Sequence, residues 1–97
     1  NIMFNNQRYI TRGVADSVEP FCQLLIWDMI DNLNIKKDYL QIFLLEWKNG
    51  KLTITHSQEQ PYYKKKYIFT CKSPEKTEKI YVIDSEEYST MLLSEEY

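Results

Sequence analysis

Glycine and proline are scarce in this 97-residue sequence, which contains two glycines and three prolines. Loops are therefore expected to be few and short, since these two residues dominate turns. Two glycines also cannot build the glycine-rich loop with which many nucleotide-binding proteins hold phosphate groups. The sequence consequently gives no indication of a nucleotide site of that type.

Metal-binding and nucleophile patterns are missing as well. The chain has a single histidine, His56, and its two cysteines, Cys22 and Cys71, are far apart in sequence. Zinc sites usually combine four histidine or cysteine ligands, so no metal site is predicted. Asp28 and Asp31 lie one helical turn apart, but a solvated helix face explains that pair without a cation. No serine or cysteine occurs in a known nucleophile motif. We predict no cofactor, and the sequence leaves open whether the protein is an enzyme.

An excess of positive charge and long apolar runs are absent too. The net charge is -2 and the pI is about 5.4. Nucleic acids and anionic membranes attract basic surfaces, so neither is expected as a partner. The apolar stretch at 24–27 is far shorter than the roughly 18 residues that cross a membrane. Without a signal-peptide pattern at the N-terminus, these features predict a cytoplasmic protein whose two cysteines are free and buried.

The pair Asn49-Gly50, which stands between two runs of strand-forming residues, is the strongest structural signal. Asn-Gly supplies both positive-φ positions of a type I′ turn, which predicts a hairpin with strands over 39–48 and 51–58. A two-residue loop also fixes which residues face each other. The predicted pairs are Lys48 with Lys51, Trp47 with Leu52, Leu45 with Ile54, Phe43 with His56, and Gln41 with Gln58.

The first strand of this hairpin is apolar on both faces. Ile42 and Leu44 lie on one side, and Phe43, Leu45 and Trp47 lie on the other. Such a strand is usually central and covered twice. One helix covers only one face well, so the second face is expected to need a terminal segment or another subunit.

Five further segments complete the predicted architecture. A helix is expected over roughly 18–34, because apolar residues recur there at helical spacing. Asp16 and Glu19 have capping-box spacing, and Pro20 suits a first helical turn. Strands are predicted at 4–14, 62–71 and 79–84, and residues 88–93 form either a last strand, which is the favoured interpretation, or a helical turn. We therefore predict one α+β domain over residues 1–97: an antiparallel β-meander with an N-terminal strand, packed against one main α-helix.

His56 and its neighbours Gln58, Glu59 and Tyr62 form a candidate ligand cleft. In that hypothesis His56 acts as a general acid or base, and Glu59 sets its charge. The preferred interpretation is structural, with His56 completing a core face opposite Phe43. A lone histidine is weak support for catalysis.

Two surface features are further candidates. Lys64, Lys65 and Lys66 lie among tyrosines and could contact single-stranded nucleic acid, although a charged sheet edge that resists aggregation is the preferred interpretation. Leu24 and Trp27 flank the apolar stripe of the helix and form a candidate partner surface, since an exposed tryptophan can anchor an interface. Simple widening of the core is the preferred interpretation of that pair.

Several short motifs resemble a known family when their order and spacing are taken together. These motifs are RYITRGV at 8–14, WDMID at 27–31, DYLQ at 38–41, HSQEQPY at 56–62, KIYVID at 79–84 and TMLLSEEY at 90–97. They are similar to the domain-of-unknown-function family 960, small uncharacterised proteins of Gram-positive bacteria. The resemblance covers nearly the whole chain and implies a bacterial cytosolic protein with no established activity.

The functional prediction is a small cytosolic, non-enzymatic interaction or regulatory module that binds a protein partner or associates with itself as a homodimer. It depends on the doubly apolar strand at 39–47, which one helix cannot cover. The alternative is a small-ligand-binding or hydrolytic protein with a cleft around His56 and Glu59.

Overall fold

The structure, a computed structural model, describes residues 2–97. Within that range the chain forms two α-helices and six β-strands in one mixed sheet, which confirms the predicted α+β class. The elements are β1 (Gln7–Ile10), α1 (Arg12–Ser17), α2 (Pro20–Asp31), β2 (Leu40–Lys48), β3 (Lys51–Gln58), β4 (Tyr63–Thr70), β5 (Lys76–Asp84), β6 (Tyr88–Leu93) and a 3-10 turn (Ser94–Glu96).

The strands are ordered β1-β6-β5-β2-β3-β4 across the sheet. Only β2, β3 and β4 form a meander, because β5 crosses to the free side of β2 and β1 pairs with β6 in parallel. The predicted antiparallel meander is present over β2, β3 and β4, and β5 leaves it by pairing with β2 instead of β4. The physical reason lies in β2, whose apolar residues on both faces favour a central position with a neighbour on each side.

The hairpin of β2 and β3 confirms the register predicted from Asn49-Gly50. Asn49 has φ 54° and Gly50 has φ 73°, as a type I′ turn requires. Lys48 pairs with Lys51 next to the turn, and Phe43 pairs with His56 further along. Turn chemistry alone was sufficient to align these two strands.

The N-terminal strand is shorter than predicted. It ends at Ile10, and residues 12–17 form α1 instead of continuing the strand. The Thr11 side chain accepts a hydrogen bond from the Val14 amide at 3.2 Å and caps this helix. Val14 is buried, but it belongs to helix α1. Its β-branched side chain, which suits a strand, was therefore a misleading signal.

The main helix is also shorter at both ends than the predicted 18–34. Glu19 is extended, with ψ 148°, because the residue before a proline avoids the helical region. The expected capping box is not formed, since Glu19 caps α2 without a side-chain hydrogen bond. At the other end the side-chain amide of Asn32 donates to the Asp28 carbonyl at 2.9 Å and closes the last turn.

The hydrophobic core lies between the helices and one face of the sheet, which we call the covered face. Ile26 and Ile30 of α2 are completely buried, as are Phe43, Leu45 and Ile54 beneath them. The Phe4 ring from the N-terminal turn and the Val14 and Val18 side chains extend the same cluster. Cys22 is buried in this core and Cys71 is half-buried at its edge, and both are free thiols.

The opposite face of the sheet, which we call the open face, is not covered in the same way. Its central side chains belong to Ile42 and Leu44 on β2 and to Tyr81 and Ile83 on β5. They stay half-exposed to solvent, although Phe43 and Leu45 beside them are completely buried. The buried apolar residues of both helices belong to the covered-face core. On the open face, Tyr97 of the C-terminal segment packs against Tyr81, with ring centroids 5.5 Å apart.

Candidate functional site

His56 lies on β3 in the covered face and is completely buried. Its ring stacks on Phe43, with centroids 4.3 Å apart and an interplanar angle of 13°. The edge of Tyr63 closes a second side, with ring centroids 5.3 Å apart. The hairpin register therefore places His56 at the end of an apolar core face, as we expected from the sequence when we preferred a structural interpretation of this residue.

A buried chain of side-chain hydrogen bonds begins at His56 and continues to Gln41. His56 Nε2 lies 2.6 Å from Gln41 Oε1. The Gln41 amide nitrogen donates to the Asp38 carbonyl at 2.9 Å and to Gln58 Oε1 at 2.7 Å, which fixes the orientation of the amide. Gln41 Oε1 must then accept from the histidine, so the neutral ring carries its proton on Nε2.

Gln58 completes this chain and links it to the backbone. Its amide nitrogen donates to the carbonyls of Lys36 at 2.9 Å and Pro61 at 2.8 Å. Its Oε1 also accepts from the Asp38 amide at 3.1 Å. The chain of His56, Gln41 and Gln58, which we call the buried polar chain, thus ties the hairpin to the segment before β2 and to the turn after β3. Buried polar groups are tolerated when they are paired in this manner.

The protonation state of His56 follows from its surroundings. Burial lowers the pKa of the imidazole from 6.5 to about 4, because the charged form loses its hydration. The other ring nitrogen, Nδ1, is buried and has no hydrogen-bond partner within residues 2–97. His56 is therefore neutral at pH 7, and its position favours a structural contribution over proton transfer.

The structure brings together two of the four residues of the predicted cleft. His56 and Gln58 are joined through Gln41, whereas Glu59 and Tyr62 lie at an exposed turn. Burial is the cause of the lowered His56 pKa, and Glu59 does not contribute to it. The residues missed from the sequence were Gln41 and Asp38. The signal for Gln41 was present, since the register placed it opposite Gln58 on an otherwise apolar face.

A groove of about 470 Å³ lies near the C-terminal end of α2. None of the four predicted cleft residues lines it. Lys36 contributes to its wall, and the carbonyl of Lys36 accepts the hydrogen bond from Gln58. The groove is lined by Ile2, Met3, Leu33, Asn34, Ile35, Lys36 and Lys37.

Leu24 and Trp27, the predicted partner surface, occupy different environments. Leu24 is 68% exposed. Phe21, which lies one helical turn before it, is 62% exposed. Trp27 is half-buried against the core, and the Arg8 guanidinium lies 4.6 Å above its ring. Arg8 is held there by an ion pair with Asp31. The exposed part of this surface is therefore the pair Phe21 and Leu24.

The fold and these features define a small α+β protein with one covered and one open sheet face. The chain belongs to the family described as staphylococcal proteins of unknown function, DUF960, which it matches over residues 7–96. It is similar to the crystal structure of a protein of unknown function from Enterococcus faecalis, with 30% identity and a TM-score of 0.79. That match covers 96% of this chain and 92% of the other.

No curated protein matches this chain. Between residues 2 and 97, neither helix has the length and apolar character needed to traverse a lipid bilayer. The family and the Enterococcus protein are both described as of unknown function.

Proposed function

We propose that this protein is a non-enzymatic interaction module that works as a homodimer, in which two copies pack through their open faces. The observation that carries this proposal is the difference between the two sides of β2. Phe43 and Leu45 are completely buried, whereas Ile42 and Leu44 stay half-exposed beside Tyr81 and Ile83. A partly exposed apolar strip at the centre of a sheet face favours a partner that removes it from water.

The size of the open face suits a second copy. Neighbouring strands lie about 4.8 Å apart, so the five strands β2 to β6 span roughly 20 Å in width and roughly 25 Å in length. A projected area of roughly 500 Å² is the main part of the about 800 Å² that each partner buries in a standard interface. Tyr9, Tyr88 and Tyr97, which are 53%, 46% and 75% exposed, extend the surface at its border.

The arrangement of charge also suits a second copy. Lys64 and Lys66 lie at the β4 border of the open face, and the acidic turn Ser94–Glu96 follows β6 at the other border. A two-fold axis parallel to the strands would bring β4 of one copy over β6 of its partner. Lys64 and Lys66 of the two copies would then lie apart, which favours this orientation over one that places β4 on β4.

Light scattering on matched variants tests the proposal. Leu44→Glu introduces a charge at the centre of the open face and is expected to convert a dimer into a monomer that still folds, because Leu44 is half-exposed. Leu24→Glu makes the same change on the exposed side of α2 and is the control. A monomeric wild-type protein, or dissociation by Leu24→Glu but not by Leu44→Glu, would contradict the proposal.

A second candidate is the ligand-binding or hydrolytic protein with a cleft at His56, Gln58, Glu59 and Tyr62. The observation in its favour is the unpartnered Nδ1 of His56, a buried acceptor that a ligand reaches only if the surrounding side chains open. A thermal-shift screen of metabolites on wild type, His56→Ala and Glu59→Gln tests this candidate. A stabilisation lost in both folded variants supports it, and one that is unchanged in both excludes these residues as the site.

The cytoplasmic location belongs to the same proposal. Cys22 and Cys71 are free thiols, as is usual in a reducing compartment.

A further inference from the structure

Strand β4 is an edge of the sheet and carries a concentration of positive charge. It runs over Tyr63–Thr70, eight residues, with β3 on one side and no strand of the described chain on the other. Three consecutive lysines, Lys64, Lys65 and Lys66, are exposed on it. A chain with net charge -2 therefore concentrates a quarter of its Lys and Arg residues, 3 of 12, in one edge strand.

The hairpin register shows which backbone groups of this edge are free. Lys48 and Lys51 close the two-residue turn as a hydrogen-bonded pair, so alternate residues of β3 bond to β2 and the others bond to β4. The residues of β3 that bond to β4 face Tyr63, Lys65, Tyr67 and Phe69. The remaining residues of β4 direct their N–H and C=O groups away from the sheet. These residues are Lys64, Lys66, Ile68 and Thr70.

The same residues also place their side chains on one side of the strand. Lys64 and Lys66 are exposed there, and Ile68 is 66% exposed beyond them. In a strand added to this edge, every second residue would have one of these β4 residues as its cross-strand neighbour. The neighbours would be Lys64, Lys66 and Ile68 in turn. Cross-strand pairs of opposite charge stabilise a sheet, and like charges destabilise it.

We propose that the β4 edge binds an extended acidic peptide segment of another protein, which adds a seventh strand to the sheet. Its main chain pairs with the free groups of Lys64, Lys66, Ile68 and Thr70, as in other cases of strand addition. Acidic residues at alternate positions face Lys64 and Lys66, and an apolar residue faces Ile68. The proposal goes beyond homodimerisation, because the free groups lie in the plane of the sheet and not on the open face.

Two other occupants fit this edge less well. A second copy that paired β4 with β4 would bring three lysines of each strand together. Single-stranded nucleic acid needs aromatic rings beside the basic groups. However, Tyr63 and Tyr67 are half-buried on the covered face, and Lys65 lies 5.1 Å above the Tyr67 ring. Lys64 and Lys66 thus have no stacking platform on their own side.

The test uses a synthetic peptide, acetyl-Thr-Val-Thr-Glu-Thr-Glu-Thr-amide, whose alternation matches an antiparallel seventh strand. Its control has the same sequence with N-methyl groups on the valine and both glutamates, which removes the donors that would face β4 but keeps the charge. Binding is followed by NMR hydrogen exchange of the full chain. We expect the amides of Lys64, Lys66, Ile68 and Thr70 to exchange at least about tenfold more slowly when the first peptide is bound.

Charge variants provide a second readout of the same binding. Lys64→Glu with Lys66→Glu is expected to weaken binding of the peptide at least roughly tenfold through like-charge repulsion. Lys36→Glu with Lys37→Glu makes the same change in net charge away from β4 and should leave the affinity unchanged. An effect of equal size in both double variants would show that overall charge, and not the edge, attracts the peptide.

Three other results would overturn the proposal. They are failure of the first peptide to bind, equal binding of the N-methylated peptide, and binding without slower exchange of the four outward amides. A twelve-nucleotide oligothymidylate that binds more tightly than the peptide, and is lost in the Lys64→Glu, Lys66→Glu variant, would identify a nucleic-acid surface instead. Leu44→Glu should leave peptide binding intact, so failure of the homodimer and failure of this proposal are distinguishable.

Discussion

His56 shows how one polar residue is accommodated inside an apolar core. Its Nε2–H donates a hydrogen bond to Gln41. The side-chain amides of Gln41 and Gln58 donate in turn to the backbone carbonyls of Asp38, Lys36 and Pro61. Each member of the buried polar chain therefore depends on the orientation of the next. Removing Gln41 alone leaves the Nε2–H of His56 buried and unpaired, whereas removing His56 and Gln41 together also removes that unpaired donor.

This dependence predicts strong coupling between His56 and Gln41. Gln41→Leu is expected to lower the free energy of unfolding by about 2 kcal/mol, because the His56 Nε2–H loses its acceptor. His56→Phe combined with Gln41→Leu should cost less than the sum of the two single changes. Urea unfolding of the four proteins measures the coupling. Additive losses would contradict it, since they would mean that the two residues stabilise the fold independently.

The lowered pKa of His56 predicts a specific loss of stability in acid. The ring has a pKa of about 4 in the folded state and 6.5 in the unfolded state. Between these values the unfolded chain binds the proton and the native protein does not, so stability falls as the pH decreases from 6.5 towards 4. The full loss is about 3 kcal/mol.

Unfolding of wild type and His56→Phe across this pH range tests the prediction. Carboxyl groups titrate in both proteins, so the difference between their stability curves isolates the histidine. We expect the wild type to lose stability more steeply than the variant as the pH falls below 6.5. Parallel curves would contradict a buried neutral imidazole.

At the scale of single elements, the hairpin was predictable and the helices were only partly so. Asn49-Gly50 fixes the register of β2 and β3 through local backbone geometry, which explains why distant contacts were not needed. Helix α1 escaped prediction because it is six residues long and buries only Val14. A single apolar residue gives no periodicity to recognise.

The turn itself gives a prediction at this scale. Gly50→Ala should lower the free energy of unfolding by roughly 1 kcal/mol, because Gly50 has φ 73° and an L-residue with a Cβ is strained there. A Cβ at this position would meet no atom within 4 Å, so the backbone conformation is the sole cause. Thermal unfolding beside a Lys51→Ala control measures the effect. Equal melting temperatures for wild type and Gly50→Ala would show that the turn is more tolerant.

Long-range contacts limit what the sequence could reveal about the candidate site. Local patterns predicted that Gln41 lies opposite Gln58. They did not predict that the segment before β2 folds against the hairpin and supplies the carbonyls of Asp38 and Lys36. Likewise, the two apolar faces of β2 indicate a central strand, but they do not identify β5 as its second neighbour. These arrangements depend on which surfaces the whole chain can bury together.

At the scale of the whole molecule, the two sheet faces differ in what covers them. Both helices and the N-terminal turn lie over the covered face, so no helix covers the open face in the described part of the chain. The sequence already indicated that one face would lack a covering helix, since β2 is apolar on both sides. The open face and the β4 edge are separate surfaces of the same sheet. The open face offers apolar side chains perpendicular to the sheet. The β4 edge offers backbone groups in the plane of the sheet, flanked by the Lys64 and Lys66 side chains at the border of the open face.

The most direct test of the homodimer is an isotope-filtered NMR experiment on an equal mixture of carbon-13-labelled and unlabelled protein. We predict intermolecular contacts between methyl groups of the open face, from Ile42, Leu44 and Ile83. Contacts that instead involve Leu24 would move the interface to helix α2. A complete lack of intermolecular contacts at millimolar concentration would contradict the claim that a second copy covers the open face.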